Sequence, residues 1–294
     1  MEKFIQKANV LVEAIPYIHE FRKKVFVIKY GGSILEDERI RKNVLEDIVF
    51  LSFVGIRTIL VHGGGPHISA RLKEKGISAK FYNGIRVTDN KTLAIVGEEL
   101  EKLNQRIVAE LQSYRGDAVG VKGNENVIHV QKKASDADLG FVGTINRVEK
   151  ELIAKYLQHG NITVVSPMGI CVKNQVYNIN ADEVAGAIAT AFHAEKLVLL
   201  TNVPGVLLGE NDPETLISTL KVHEAVQLIE KGIIKSGMIP KVNSCLETLA
   251  GGVHKAHIVD ARLKHALLLE IFTDQGIGTQ IIKPEAIEEE KVQG

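Results

Sequence analysis

Val25-Phe26-Val27-Ile28-Lys29-Tyr30-Gly31-Gly32-Ser33 is the stretch on which the reading of this chain turns. Its β-branched and aromatic apolar run predicts a buried strand. The run ends on a lysine, two glycines and a serine that can lead into a helix. Two glycines let the backbone turn sharply and direct its N–H groups into a concavity that accepts anions. A lysine at the same point adds a compact, mobile charge suited to phosphate. The stretch therefore predicts a phosphate site at the carboxyl edge of a parallel sheet. Taken alone, it fits at least as well a tight strand-to-helix turn whose lysine reaches solvent.

The residues downstream repeat the pattern. Residues 38–53 carry Ile40, Val44, Ile48 and Leu51 at helical spacing. Residues 56–61 predict a second strand that runs into His62-Gly63-Gly64-Gly65-Pro66-His67. Pro66 suits a first helical turn, where its missing N–H costs nothing. Strand, glycine turn and helix thus occur twice in succession, as in right-handed βαβ units. Ligands of such sheets gather at the carboxyl ends of strands, where both glycine clusters fall. Three glycines exceed what a turn requires, and they leave N–H groups at the positive end of a helix.

Farther along, residues 89–111 predict a long helix capped by Thr88 or Asp89. Segments 127–130 and 141–144 predict edge hairpins, 161–166 a strand, and 170–180 a hairpin with Lys173-Asn174 at its tip. Asn180 and Glu183 match a capping box opening a helix over 184–191. Next come a strand at 197–200, helices at about 213–220 and 223–231, and a helix entered from Gly237-Met238-Ile239-Pro240-Lys241. Strands are expected at 256–259, 267–273 and 279–282, and the acidic tail from Pro284 is expected to fray. Residues 1–20 predict an amphipathic helix with Phe4, Ala8, Leu11, Val12, Ile15 and Ile18 near one face and a break at Pro16.

A length of 294 residues allows one large α/β domain or two smaller lobes. Lys+Arg and Asp+Glu are both 36, so global charge argues for neither nucleic acid nor an anionic membrane. No apolar run approaches the ~20 residues that span a bilayer, and the N-terminus lacks the compact apolar region of a secretory signal. Cys171 and Cys245 lie far apart and outside any metal-ligand spacing, which suits a reducing cytosol. A cytoplasmic location without nucleic-acid or membrane partners is expected.

The absent motifs narrow the chemistry. There is no G-x-x-x-x-G-K-[ST], no G-x-G-x-x-G after the first strand, and no H-R-D or D-F-G set. These absences argue against P-loop NTPases, simple Rossmann dinucleotide enzymes and protein kinases. Lys241 stands near a helix N-terminus, where a cation is mildly unfavourable; an anion nearby would explain it, although a lysine stretching to solvent is commoner. Asp182 in a first helical turn is favourable without any function. Asn178 and Asn180 share one side of an extended segment, suited to orienting a polar ligand or to capping. His62 and His193 read as structural.

Five segments then resemble, in order and spacing, the amino-acid kinase family: Lys29-Tyr30-Gly31-Gly32, His62-Gly63-Gly64-Gly65-Pro66, Asn83-Gly84-Ile85-Arg86-Val87-Thr88, Asn178-Ile179-Asn180-Ala181-Asp182 and Gly237-Met238-Ile239-Pro240-Lys241. The match runs from about residue 25 to 282. The third and fourth segments set the chain apart from aspartokinases, uridylate kinases and carbamate kinases, and are similar to the branch that acts on N-acetyl-L-glutamate. The resemblance implies an α/β three-layer αβα sandwich around a mostly parallel open sheet. It implies a lobe at 22–195 for the acyl amino acid and one at 196–294 for ATP and feedback arginine.

The activity implied is phosphorylation of the γ-carboxylate of N-acetyl-L-glutamate by MgATP on the route to arginine. By the same resemblance, Lys29 and Lys241 hold phosphoryl oxygens from opposite sides and Asp182 orients both lysines. Gly31, Gly32, Gly64 and Gly65 offer N–H groups to phosphate, with Gly64 and Gly65 also beside the substrate. Thr201 falls on the nucleotide side, Arg86 clamps the substrate α-carboxylate and Asn178 bonds its amino-acid end. The resemblance implies Mg²⁺ held mainly by ATP oxygens, and it names no residue as a metal ligand. The acceptor carboxylate, with a reference pKa of about 4.3, is already ionised, so no base is needed.

Arginine-inhibited members of the family carry an N-terminal helix, here residues 1–21, that links dimers into a hexamer as a trimer of dimers. Tyr17, Lys196, His265, Glu270 and Gly276 match the positions where those members bind L-arginine. Nothing in the sequence supports docking of a PII-type signalling protein. Two alternatives are a kinase for another carboxylate or phosphate acceptor, and a nucleotide-binding regulatory subunit without turnover. Arg86 with Asn178 discriminates against the first. Retention of Lys29, Lys241 and Asp182 discriminates against the second.

Overall fold

Alternation along the Val25–Tyr30 strand sets the architecture. Phe26, Ile28 and Tyr30 enter one core and Val27 enters another, so both faces of this strand are covered. By the same pleat Lys29 lies on the face of Val27. The computed structural model describes residues 1–209, 212–235, 237–274 and 276–284. The expected fraying beyond residue 284, and the side chain of Ala8, lie outside the described residues.

The main sheet has eight strands in the order Thr219–Lys221, Thr279–Ile282, Lys255–Asp260, Lys196–Thr201, Val25–Tyr30, Arg57–His62, Ile162–Ser166 and Ala118–Lys122. Adjacent strands are parallel except Lys255–Asp260 against Thr279–Ile282. Helices Glu38–Phe53, Asn90–Ser113 and Ala266–Ile271 cover one face, and Glu151–Gln158, Ala181–Ala191 and Met238–Ala250 cover the other. The result is the expected three-layer α/β fold. Lys196–Thr201 pairs directly with Val25–Tyr30, so the sheet runs unbroken through residue 195.

A four-stranded sheet, Val176–Asn178, Met168–Ile170, Ile128–Lys132 and Gly143–Val148, builds the expected edge hairpins. A further hairpin joins Phe81–Tyr82 to Ile85–Arg86. Its two-residue loop puts Asn83 at φ 47 and Gly84 at φ 78, the positive angles that such loops require.

Three local expectations are corrected. Residues 213–220 form a single 3₁₀ turn, Pro213–Thr215, and the chain then becomes the edge strand Thr219–Lys221. Ile217 and Thr219 are β-branched, and pairing with Thr279–Ile282 wins over the weak helical pattern. Residues 267–273, expected as a strand, contain the helix Ala266–Ile271. Ala266, Leu267, Glu270 and Ile271 are its buried residues, a helical spacing in a leucine run without β-branching until its end. Glu183 does not complete a capping box: the Asn180 side chain caps Asp182 N, while the Glu183 carboxylate pairs with Lys133 at 2.9 Å.

The N-terminal segment is two helices, Glu2–Glu13 and Ile15–Phe21, separated ahead of Pro16. The second packs inward, with the Phe21 ring 5.4 Å from that of Phe26. In the first, Phe4, Ile5, Leu11 and Val12 are exposed, and Ile15 at the start of the second is exposed as well. Among the described residues, no helix is long and apolar enough to cross a membrane.

Candidate functional site

Lys29 approaches the carboxyl end of its strand and, on the Val27 face, meets the first turn of the helix Ala181–Ala191. Its Nζ forms an ion pair with Asp182 Oδ1 at 3.0 Å. Lys241, in the first turn of Met238–Ala250, donates from Nζ to Asp182 Oδ2 at 3.1 Å. The carboxylate is thus gripped on one oxygen by each lysine. Asn180 Oδ1 accepts from Asp182 N at 2.7 Å, and Ser244 Oγ donates to Asp182 O at 3.2 Å, so the backbone of Asp182 is held as well. Lys29 and Asp182 are each 9% exposed, and that burial leaves their charges weakly screened.

Burial alone would raise the Asp182 pKa. The charges of Lys29 and then Lys241 outweigh it and hold the carboxyl below the usual carboxylate range. Two cations around one anion leave an uncompensated positive charge at a partly open edge. Such an arrangement attracts a further anion.

A cavity of about 240 Å³ opens here, lined by Lys29, Gly32, Gly64, Gly65, Arg86 and Asn178 together with Asp182. Gly32 adopts φ +72, which disfavours any side chain. Gly65 begins the helix Gly65–Glu74, with Pro66 in its first turn as expected. Gly31 faces Gly63: a Cβ on Gly31 would lie 3.1 Å from Gly63 Cα. The absence of side chains therefore lets the two glycine loops touch. A larger space of about 680 Å³ lies behind Asp182, between Gly143–Val148 and the helices Ala181–Ala191 and Met238–Ala250.

Arg86 is buried without an acidic partner among the described residues. Its Nη2 donates to Gly65 O at 3.0 Å and to Ser69 Oγ at 2.7 Å, and its guanidinium lies 4.7 Å from the centre of the Phe81 ring. Nη1 is buried with no hydrogen-bond partner among the described residues. Burial lowers the Arg86 pKa from its usual value. A buried guanidinium with a spare donor is costly unless an anion completes it. Asn178 Nδ2 donates to Thr88 Oγ1 at 3.2 Å, and Thr88 Oγ1 donates to Arg86 O at 2.9 Å, so a chain of bonds ties Asn178 to Arg86.

Thr201 ends the strand next to Val25–Tyr30, on the same sheet edge, and its carbonyl accepts from Ala261 N. It does not line the 240 Å³ cavity. Gly31 contacts Gly63 instead of lining that cavity. Ser69, Phe81 and Ser244 were not anticipated, since nothing local marks a serine or phenylalanine as a second layer.

A second cluster forms between the Ile15–Phe21 helix and the last third of the chain. Lys196 Nζ lies 5.0 Å from the centre of the Phe21 ring and 3.4 Å from His257 Nε2. His257 Nδ1 donates to Glu270 Oε1 at 2.6 Å. Glu270 Oε2 accepts from Ile277 N and Gly278 N, and any side chain at Gly276 would press on this carboxylate. Tyr17 bonds Asp274 and packs edge-on to Phe272. Lys196, buried and near Lys255, has its pKa pushed down to about 8. His265 points elsewhere, to Asp47 at 2.6 Å. Tyr17, Lys196, Glu270 and Gly276 therefore gather in one corner, while His265 engages the helix Glu38–Phe53. His257, missed in the sequence, is the link between Lys196 and Glu270.

Residues 24–260 match the family model described as the Amino acid kinase family. The chain belongs to this family. It is 47% identical over 281 residues to Acetylglutamate kinase of Desulforamulus reducens, covering 95% of this chain and 98% of that one. Among solved structures, N-acetylglutamate synthase from Neisseria gonorrhoeae complexed with coenzyme A and N-acetyl-glutamate aligns with a TM-score of 0.85 and 28% identity. The same synthase complexed with coenzyme A and L-arginine gives 0.80 and 27%. These alignments cover 95% and 94% of this chain but only 64% and 65% of the synthase, so the chain spans less than two thirds of that protein. Within its family the chain is a kinase that groups with the acetylglutamate kinases.

Proposed function

We propose that the protein transfers the γ-phosphoryl group of MgATP to the γ-carboxylate of N-acetyl-L-glutamate, giving N-acetyl-L-glutamyl 5-phosphate for arginine biosynthesis in the cytoplasm. The observation that carries this reading is the Lys29–Asp182–Lys241 arrangement beside a cavity lined by Arg86, whose Nη1 has no hydrogen-bond partner among the described residues. The acceptor is ionised at neutral pH, so the protein has only to position two anions and offset their charge. Lys29 and Lys241 neutralise phosphoryl oxygens as the carboxylate attacks, and Asp182 keeps both ammonium groups aimed. The backbone N–H groups of Gly32, Gly64 and Gly65 receive phosphate, and Gly31 keeps the loops in contact. Gly64 and Gly65 also border the acceptor.

Arg86 takes the substrate α-carboxylate on Nη1, and Asn178 bonds the amino-acid end. Residues 22–195 hold the acyl amino acid. Residues 196–294, with Thr201, hold ATP on the neighbouring strand ends. Open space at Gly32 and Gly65 fits the approach of phosphate oxygens to the main chain. Mg²⁺ offsets charge on the phosphates when bound. Its ligands are taken to be mainly ATP oxygens, as is usual for Mg²⁺ bound with a nucleotide.

Arg86→Ala tests the acceptor. Losing one side of a buried charge pair costs about 2–5 kcal/mol, or roughly 30- to 4,000-fold in KM for N-acetyl-L-glutamate, with kcat little changed. An analogue whose α-carboxylate is an amide should bind wild type weakly and the variant no worse. A rise in KM for ATP instead would contradict the assignment.

The corner of Tyr17, Lys196, Glu270 and Gly276 supports a second reading, in which L-arginine binds there as a feedback inhibitor; His265 would have to leave Asp47 to join it. Glu270 offers its carboxylate to the guanidinium and Lys196 its ammonium to the α-carboxylate. The exposed apolar residues of Glu2–Glu13 favour packing on another copy, in a hexamer built as a trimer of dimers. Deleting residues 1–20 should yield dimers by light scattering and weaken arginine inhibition. A truncated protein that still runs as a hexamer would refute the role of the helix.

A further inference from the structure

His62 closes the Arg57–His62 strand immediately before the three glycines and is fully buried. Two hydrogen atoms on Asn104 Nδ2 decide its protonation. One is donated to Val164 O at 3.0 Å, and the other faces His62 Nε2 at 3.2 Å. Nε2 must therefore accept, and the ring proton resides on Nδ1. From there it is donated to Gly63 O at 3.0 Å. The Gly63 N–H is donated to Tyr30 O at 2.8 Å. Gly63 is thus held on both sides: by the end of the first strand and by the histidine ring.

The amide that sets this ring has a place prepared for it. Any Cβ at Gly120 would collide with Asn104 Oδ1, so the neighbouring strand Ala118–Lys122 leaves room for Asn104 by having no side chain there. On the other side, Gly31 and Gly63 pack backbone to backbone. The position of Gly63 therefore decides how the Gly31-Gly32 loop and the Gly64-Gly65 loop stand relative to each other.

We infer that His62, set by Asn104, is a positioning residue that locks Gly63 and so holds the two glycine loops at the separation phosphoryl transfer requires. The inference rests on the phosphate-binding role given to those loops above. A ring that merely filled volume would need neither a fixed tautomer nor a glycine on the adjacent strand. The neutral form is favoured as well: burial pushes the His62 pKa down to about 4, against the opposing pull of its bond to Gly63 O. Between pH 6.5 and that value, the unfolded chain takes up a proton that the native chain refuses. Native stability accordingly falls with acid across this window.

The test uses the full chain. His62→Leu should retain a cooperative melt and near-normal KM values but lose about 10- to 100-fold in kcat, the cost of a small misplacement of reacting groups. His62→Asn puts an amide donor near the Nδ1 position and should recover most of that loss. Asn104→Ala should reproduce part of it by releasing the ring's tautomer while residue 62 itself is unchanged. Long-range ¹H–¹⁵N correlations of the wild-type histidines should show His62 as the neutral Nδ1–H tautomer from pH 8 to pH 5. An unchanged kcat in His62→Leu, a loss confined to KM, or an Nε2–H tautomer overturns the inference. An inactive wild type would instead overturn the proposed reaction, and the spectrum still decides the tautomer.

Discussion

Lys241→Ala should lower kcat by about 10²- to 10³-fold, the usual cost of removing one preorganised charge from a site where charge develops. Its Nζ sits 3.1 Å from Asp182 Oδ2 at the start of a helix whose backbone stays in place without it. Asp182 would keep Lys29 at 3.0 Å, so the variant should fold and melt close to wild type. Most contacts assigned to ATP are made by the glycine loops and would survive. The loss therefore falls on kcat, with KM for either substrate shifted by only a few fold. A change confined to KM would show that Lys241 anchors ground-state ATP and does nothing more in the transition state.

Asp182→Ala should be the most damaging single change. It leaves two ammonium groups directed at one space with no anion between them, inside a region that is 9% exposed at both Lys29 and Asp182. Removing one partner of a buried ionic cluster costs about 3–5 kcal/mol of stability. Turnover should fall at least as far as in Lys241→Ala, because neither lysine remains aimed. The pH dependence gives an independent readout. The folded carboxyl titrates below its ordinary range, so the native state binds fewer protons there than the unfolded chain. The stabilisation is present above the ordinary carboxylate pKa and is lost as pH falls through the lowered value. Urea titrations of wild type and Asp182→Ala at pH 7 and at pH 3 should show the difference in stability shrinking in acid. A variant as stable as wild type at pH 7 would contradict the ion-pair account.

Much of this site was legible because its signals are local. A strand, a glycine pair and a lysine are contiguous at residues 25–32, and the same grammar recurs at 57–66. The long helices were legible for the same reason: their buried faces repeat every three to four residues. Contacts made by topology were not. The residues next to Asp182 show only an acid at a helix start; its place between two lysines came from the family resemblance, and sheet order brings the three together. Glu183 carried a capping pattern, yet an ion pair with the distant Lys133 takes its side chain. The Asn83-Gly84 pair is a strong two-residue hairpin signal, and the hairpin it makes sets Phe81 opposite Arg86. His62 and His257 lacked sequence partners because theirs, Asn104 and Glu270, come from elsewhere in the fold. Residues 267–273 went astray because a short apolar run has no length with which to separate helix from strand.

The proposed reaction yields an acyl phosphate, and hydroxylamine converts an acyl phosphate to a coloured hydroxamate. Purified protein with MgATP, N-acetyl-L-glutamate and hydroxylamine should form hydroxamate in proportion to ADP released. Omitting the N-acetylated substrate, or replacing it with aspartate or UMP, should abolish ADP release. ADP released without hydroxamate, or turnover only with one of the replacement acceptors, would contradict the account.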